Sequence, residues 1–221
     1  MRTVIAGGHG QIALRLERLL AGRGDEAVGL IRNPAQSEDL VSVGAEPVVL
    51  DLEAAAVDEV AKVLRGADAA VFAAGAGPGS GAERKLTVDR DAAVLLADAA
   101  ELAGVRRFLI VSSRGADAGA ANPDPIFTAY LRAKGAADDA IRARGAGLDW
   151  TILRPGALTD AAGTGRVNLG ADTGRGSIPR DDVAAVLLAL LDAPATAGRT
   201  LELVAGDITV PEAVRRAGRR D

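Results

Sequence analysis

The chain has 221 residues, 48% of them hydrophobic and 25% charged, which places it among globular rather than disordered proteins, with enough length for one domain and a substantial core. It has no cysteine and one histidine, which excludes disulfides and thiolate metal sites and argues against a histidine-based zinc site or triad, so no metal is expected. A net charge of -4 with 2% aromatic residues argues against both a broad basic footprint and a base-stacking platform, so no nucleic-acid partner is expected.

Met1 to Ala6 reads as a short apolar strand, Gly7 to Gly10 as a tight turn, and Gln11 to Arg23 as a helix with Ile12, Leu16, Leu19 and Leu20 at helical spacing. In this G-x-x-G-x-x-A turn, Gly7 lets the chain reverse, Gly10 leaves backbone amides open to a phosphate, and Ala13 lets the helix pack close to the sheet. The same pattern also suits a bare strand-to-helix turn. His9, inside it, is an exposed turn residue, or a group that touches a pyrophosphate or faces a nicotinamide and its substrate.

Ala27 to Ile31 has the continuous apolar character of a parallel strand buried on both faces, and it ends in Arg32-Asn33-Pro34. In a dinucleotide-binding sheet an acidic residue at that point suits a ribose 2′-hydroxyl and a guanidinium a 2′-phosphate, so Arg32 either favours NADP(H) over NAD(H) or is an ordinary exposed strand-end arginine. Gln36 to Gly44 is a short helix-like segment. Glu46 to Leu50 is a third strand closing on Asp51-Leu52, where Asp51 either accepts from an adenine amino group or caps a helix from Ala54 to Arg65. Asp68 to Ala74 is a fourth strand. It runs into a glycine-rich loop, Gly75 to Gly81, that admits a ligand or merely connects.

Arg84 to Ala103 is a long helix with Leu86, Ala93, Leu96, Ala97 and Ala100 on its buried side. Arg106 to Val111 delivers Ser112-Ser113 to the same sheet edge as Gly7. Asp124-Pro125 starts a helix from about Ile126 to Arg144 that sets Tyr130 and Lys134 one turn apart. Leu148 to Leu153 is a sixth strand ending in Arg154-Pro155-Gly156. The region of about 155–178 is small and irregular. A helix from Pro179 to Leu191, a strand from Thr200 to Val204 and a helix from Pro211 to Ala217 complete the chain. The alternation describes one α/β domain, residues 1–221, built on a doubly wound parallel sheet whose ligands sit beyond the carboxyl ends of the strands. The arginines Arg215, Arg216, Arg219 and Arg220 read as a solvated helix C-terminus. The N-terminus runs directly into the first strand and the apolar run Val183 to Leu191 is too short to span a bilayer, so a soluble cytoplasmic protein is expected.

Tyr130-x-x-x-Lys134 with Ser113 upstream has a definite chemistry. A tyrosine with a pKa near ~10 is a poor acid at neutral pH unless an ammonium stabilises its phenolate. On this reading Lys134 supplies one, Ser113 orients a carbonyl and Tyr130 protonates its oxygen; the alternative is a chance Tyr-x-x-x-Lys spacing with Ser112-Ser113 simply ending a strand.

With these residues in place, the sequence resembles the atypical short-chain dehydrogenase/reductases. The nearest resemblance is to their small NAD(P)-binding group related to flavin reductase/biliverdin reductase B and the NmrA-like proteins. The resemblance spans Gly7 to Ala13, Leu30 to Pro34, Asp51-Leu52, Phe72 to Gly75, Arg107 to Ser113, Tyr130 to Lys134, Leu153 to Gly156 and Arg180 to Ala184. It implies a Rossmann-like fold and cofactor contacts by Gly7, Gly8, His9, Gly10, Gln11, Ile12, Arg32, Asn33, Asp51, Leu52, Ala73, Ala74, Gly75, Val111, Ser112 and Lys134. Pro155, Gly156, Ala157 and Leu158 would flank the nicotinamide, and Ser113, Tyr130 and Lys134 match the catalytic serine, tyrosine and lysine. Asp89 stands where many members have asparagine, and Ala6 where a threonine often precedes the first glycine. The function implied is hydride transfer from NADPH to a small carbonyl, quinone or flavin-type acceptor. The alternatives are a non-catalytic NADP(H)-sensing protein and, behind it, a nucleotide-sugar epimerase, for which the region after Leu153 is short. A monomer or homodimer fits.

Overall fold

The computed structural model describes residues 1–77 and 79–219. β1 (Arg2–Ala6) leads through the glycine turn into α1 (Gln11–Arg23), followed by β2 (Glu26–Ile31), α2 (Ser37–Ser42), β3 (Glu46–Val49), α3 (Val57–Leu64) and β4 (Ala69–Phe72). A continuous helical stretch then comprises α4 (Ala82–Arg84), a π-helical segment (Lys85–Asp91) and α5 (Ala92–Ala103). β5 (Arg107–Val111), α6 (Pro125–Arg142), β6 (Asp149–Pro155), β7 (Ala157–Thr159), β8 (Arg166–Gly170) and β9 (Ser177–Pro179) come next. They are followed by α7 (Arg180–Leu191), β10 (Arg199–Ala205), β11 (Ile208–Thr209) and α8 (Val210–Ala217).

The main sheet has the order β11-β8-β10-β6-β5-β4-β1-β2-β3. β1 is its pivot, pairing in parallel with β2 through Ala6 opposite Leu30 and with β4 through Ala6 opposite Phe72. The chain therefore winds outward first in one direction and then in the other, opening a crevice at the carboxyl ends of β1 and β4. One core layer packs α1, α7 and α8 on Ile5, Val71, Leu109 and Leu153; the other packs α3, α5 and α6 on Val4, Phe72, Phe108 and Ile152. Alternate residues of each strand thus feed opposite layers, as buried parallel strands require.

Several boundaries differ from expectation for local reasons. α3 begins at Val57 rather than Ala54, because the carbonyl of Asp51 accepts from Ala54 and Ala55 in a turn and the amide of Ala56 donates to Glu59 Oε2 at the helix entrance. Asp51 therefore does not cap this helix. Part of the segment expected to be irregular is sheet: β8 buries Val167 and Leu169 with period 2 and pairs antiparallel with β10, while β7 and β9 pair with each other. α6 starts as expected, with Asp124 Oδ1 accepting from the amides of Ile126 and Phe127 ahead of the first-turn Pro125. Arg215 and Arg216 are exposed and pair with Glu212, whereas Arg220, like Pro78 of the glycine-rich loop, lies outside the described residues.

The buried faces of two helices also depart from the apolar pattern. The π-helical turns between Lys85 and Asp91 carry an extra residue each, which rotates the helix so that Lys85, Val88 and Asp89 face inward and Leu86 is 40% exposed. On α1, Glu17 is buried and Leu19 faces solvent. Glu17 lies behind the glycine turn: its Oε1 is 3.1 Å from where a Cβ on Gly8 would stand and 2.6 Å from where one on Gly29 would stand. Neither of its carboxyl oxygens has a hydrogen-bond partner among the described residues. Burial without a partner pushes this carboxyl from 4.5 up to about 8, so it is protonated at neutral pH.

Because the folded state holds this proton while the unfolded chain releases it near 4.5, the stability it confers is complete below that pH and is lost as pH rises toward 8. Glu17→Gln abolishes the titration. Denaturant unfolding should show a stability gap in favour of the variant that is absent near pH 4.5 and grows to about 3 kcal/mol by pH 7. A gap independent of pH would place Glu17 in water.

Candidate functional site

The glycine turn is set by contact rather than by flexibility alone. Gly7 has φ 81°, and a Cβ there would stand 2.6 Å from Ala74 Cα; a Cβ on Gly8 would stand 2.7 Å from Gly29 Cα. The turn is therefore wedged between the ends of β4 and β2. Its own amides are partly spent, since Gly8 donates to the Leu30 carbonyl at 2.9 Å and Gly10 to that of Gly7 at 2.8 Å. Gly10 leaves the entrance of α1 without a side chain: no side chain caps the helix, so its first-turn N–H groups are open to an anion. A dinucleotide pyrophosphate fits this uncapped, side-chain-free entrance.

Two joined cavities run along the sheet edge, one of about 350 Å³ and one of about 1000 Å³, with Ala73 to Gly77 as their common wall. Gly7, His9, Gly10, Arg32, Asp51 and Leu52 line the first. Ile12, Val111, Ser112, Ser113, Tyr130, Lys134 and Pro155 to Leu158 line the second, so the expected catalytic and nicotinamide-side residues converge. Gly8, Gln11 and Asn33 line neither. Gly8 packs behind the turn, Gln11 Oε1 accepts from Arg15 at 2.8 Å, and Asn33 Oδ1 accepts from the Ala35 amide at 3.1 Å. His9 is half-buried, with Nε2 2.7 Å from Asp39 Oδ2.

At the outer end, Arg32 lies 3.3 Å from Glu53 Oε2 and Arg84 lies 3.0 Å from the same oxygen. Thr87 donates to the other oxygen at 2.6 Å, and this bond with the two guanidinium groups holds the Glu53 carboxyl below its ordinary value. Asp51 Oδ1 accepts from the amide of Glu53 at 3.0 Å, shaping the turn that brings Glu53 there. Glu53 and Arg84 carry no sequence signal of their own; β3 and the start of the helical stretch bring them to Arg32.

At the inner end Lys134 is 3% exposed. Its Nζ donates to the carbonyls of Val111 at 3.1 Å and Ala74 at 3.3 Å, and lies 3.2 Å from Asp89 Oδ1. Asp89 Oδ2 accepts from the Ala76 amide at 3.3 Å. The residue expected to serve Tyr130 is thus clamped under the ends of β4 and β5 by a carboxylate that the π-helical register turns inward. Tyr130 is half-buried and stacks on Phe127, with 5.8 Å between ring centroids. Ser113 Oγ donates to the Arg114 carbonyl at 3.3 Å. One turn beyond Lys134, the buried Asp138 accepts from Ser112 Oγ at 2.9 Å and from Arg154, tying β5, β6 and α6 together. Burial pushes the Asp138 carboxyl up, against the opposing pull of Arg154 and Ser112. Tyr130, Lys134 and Asp138 follow an i, i+4, i+8 series, the signal by which Asp138 was detectable.

Comparison with known proteins decides the family. Residues 7–194 match the model of the NAD(P)H-binding family. The chain belongs to this family, within the atypical short-chain dehydrogenase/reductases. It is 37% identical over 217 residues to a Bacillus subtilis protein named as an uncharacterized sugar epimerase, covering 98% of this chain and 100% of that one. A Bacillus halodurans structure, named provisionally as an NAD-dependent epimerase/dehydratase, superposes with a TM-score of 0.89 at 35% identity over 98% of this chain and 99% of that one. An oxidoreductase of Lactococcus lactis superposes with a TM-score of 0.86 at 26% identity over 98% and 96%. Among the described residues no helix is long and apolar enough to cross a membrane, and no group of three or more acidic, histidine or cysteine side chains could hold a metal ion.

Removing one member of the Lys134–Asp89 pair leaves a buried charge uncompensated. Lys134→Met should lower unfolding stability by about 3 to 5 kcal/mol, and adding Asp89→Asn should recover much of that loss. Strictly additive losses in this double-mutant cycle would show that the two groups do not interact.

Proposed function

We propose that the protein is an NADP-dependent oxidoreductase that reduces a small carbonyl, quinone or flavin-type acceptor. The observation carrying this is the convergence of Ser113, Tyr130 and Lys134 on one cavity that shares the wall Ala73 to Gly77 with the cavity of the glycine turn. A nicotinamide cofactor held along these two cavities would supply the hydride. Residues Pro155 to Leu158 would flank the nicotinamide, and the first-turn amides of α1, rather than those of Gly8 and Gly10, would hold the pyrophosphate. Ser113 orients the acceptor oxygen and Tyr130 gives it a proton. Lys134 acts chiefly by fixing the ends of β4 and β5 against α6, because Asp89 offsets the charge it would otherwise direct at Tyr130. For the adenosine end, Arg32 and Arg84 bring two guanidinium groups to one point, held there by Glu53, and a ribose 2′-phosphate could take the place of that carboxylate.

Calorimetric titration with NADP, NADPH, NAD and NADH tests the binding step. NADP(H) should bind more tightly than NAD(H), and Arg32→Ala should cost NADP(H) about tenfold with little change for NAD(H). Equal affinities in the unmodified protein would refute the 2′-phosphate site. For an identified carbonyl substrate, Tyr130→Phe should reduce kcat at least about a hundredfold; a mild effect would point instead to a flavin or quinone that accepts hydride without the phenol. The name of the Bacillus subtilis relative favours a second reading, epimerisation of a sugar. In that chemistry hydride returns to the substrate, so turnover would consume no NADPH, and absorbance at the reduced nicotinamide band separates the two.

A further inference from the structure

The cavity beside Tyr130 holds more positive charge than its own carboxylates neutralise. Asp89 faces Lys134 at 3.2 Å. Glu202 Oε2 accepts from Arg114 at 3.3 Å and from the Thr173 amide at 3.2 Å. Asp124 is spent on the first-turn amides of α6. Asp89 and Glu202 are thus paired with cations, Asp124 caps α6 through Oδ1, and the cations Lys85, Arg114, Lys134 and Arg175 outnumber these three carboxylates.

Lys85 has no such partner. The residue is 8% exposed, its Nζ donates to the Gly77 carbonyl at 2.9 Å and lies 5.6 Å from the centre of the Tyr130 ring, and no carboxylate among the described residues comes within 4.0 Å of it. An ammonium has three donors, so two remain, in a place where burying an unpaired charge is unfavourable. The inward turn of Lys85 is a product of the π-helical register, which also places Asp89 on Lys134. The two lysines are thus treated oppositely: one is neutralised by the fold and one is left unneutralised at the cavity wall. Arg175, exposed on the segment before β9, lines the same cavity and also lacks a carboxylate within 4.0 Å among the described residues.

We infer that the molecule taken up beside Tyr130 carries a carboxylate, bound by the Lys85 ammonium with Arg175 at the outer wall, so that the acceptor is an acid rather than a neutral carbonyl compound. The inference rests on reading this cavity as the acceptor site. The other anion that a buried ammonium could meet here is a phosphate of the dinucleotide. Position argues for the acceptor: Lys85 lines the cavity of Tyr130 and Ser113 and is absent from the one lined by Gly7, Gly10 and Arg32. An ammonium paired with a carboxylate also gives a stronger hydrogen bond than a neutral pair, and so discriminates acid from amide.

Benzoate and benzamide, alike in shape and different in charge, are the probes. Each is titrated into the ¹⁵N-labelled full chain with NADP present and again without it, following amide resonances, while NADP affinity is measured separately by calorimetry for every variant. Benzoate should shift the amides of Gly77, Gly79 and Ser80 saturably and bind about tenfold more tightly than benzamide. Lys85→Met should erase that preference without changing NADP affinity, Lys85→Arg should keep most of it, and Arg175→Gln should reduce it severalfold. Thermal melts identify a variant that has not folded, in which case the Lys85→Arg and Arg175→Gln results stand alone. Absence of saturable benzoate shifts, equal binding of the two probes, or unchanged benzoate binding by Lys85→Met would each overturn the assignment. So would a Lys85→Met variant that loses NADP affinity instead, because it would give the ammonium to the dinucleotide. Failure of the unmodified protein to bind NADP(H) would sink the oxidoreductase reading, while the titration without NADP still decides on Lys85.

Discussion

The close approach of backbone to backbone at the end of β1 is the constraint on which the rest of the molecule depends. Gly7 lies against Ala74 and Gly8 against Gly29, at distances that leave no room for a Cβ at either glycine. This packing brings the ends of β2, β1 and β4 together, aims the uncapped entrance of α1 along the sheet edge, and closes one wall of the groove with Ala73 to Gly77. Larger residues would separate the strands, and the helix entrance would no longer line the crevice. The buried Glu17 behind the same turn is a cost of the arrangement: it fills the space that two glycines leave open, and it does so as a neutral acid.

The second organising feature is the π-helical segment. In regular α-helical register the inward positions would be those of the apolar stripe, and Leu86 would be among them. The wider turn brings in Lys85 and Asp89, two charged side chains in a region otherwise filled by alanine and leucine. Asp89 then meets Lys134 and the Ala76 amide, so one irregularity links the glycine-rich loop, the ends of β4 and β5, and α6. Polar networks in a low-dielectric interior are favourable only when nearly every member has a partner, which is why this one is geometrically demanding and why its unneutralised member, Lys85, stands out.

The two ends of the groove use charge differently. At the Arg32 end the charges are half-exposed and share one carboxylate, Glu53, so an anionic ligand could exchange with it at modest cost in a screened environment. At the Tyr130 end Asp89, Lys134, Asp138 and Asp124 are committed to contacts that fix strand ends or a helix start, while Lys85 and Arg175 have no carboxylate partner among the described residues.

The sequence by itself determined the doubly wound class, the glycine turn, the start of α6 at Asp124-Pro125 and the shared face of Tyr130 and Lys134, because each rests on a local rule: strand-helix alternation, left-handed backbone at Gly7, a side-chain cap, and helical spacing. Those rules act over a few residues and leave their marks in consecutive positions. Only the tertiary structure decided that α3 waits until Val57, that Val167 and Leu169 belong to a strand of the main sheet, and that Gln11 and Asn33 turn to neighbouring groups instead of the groove. It also decided that Lys134 answers to Asp89 while Lys85 faces Tyr130, and that Glu53 and Arg84 stand beside Arg32. These outcomes depend on the rotation of one helix and on contacts between segments far apart in the chain, and neither leaves a periodic trace in a single sequence.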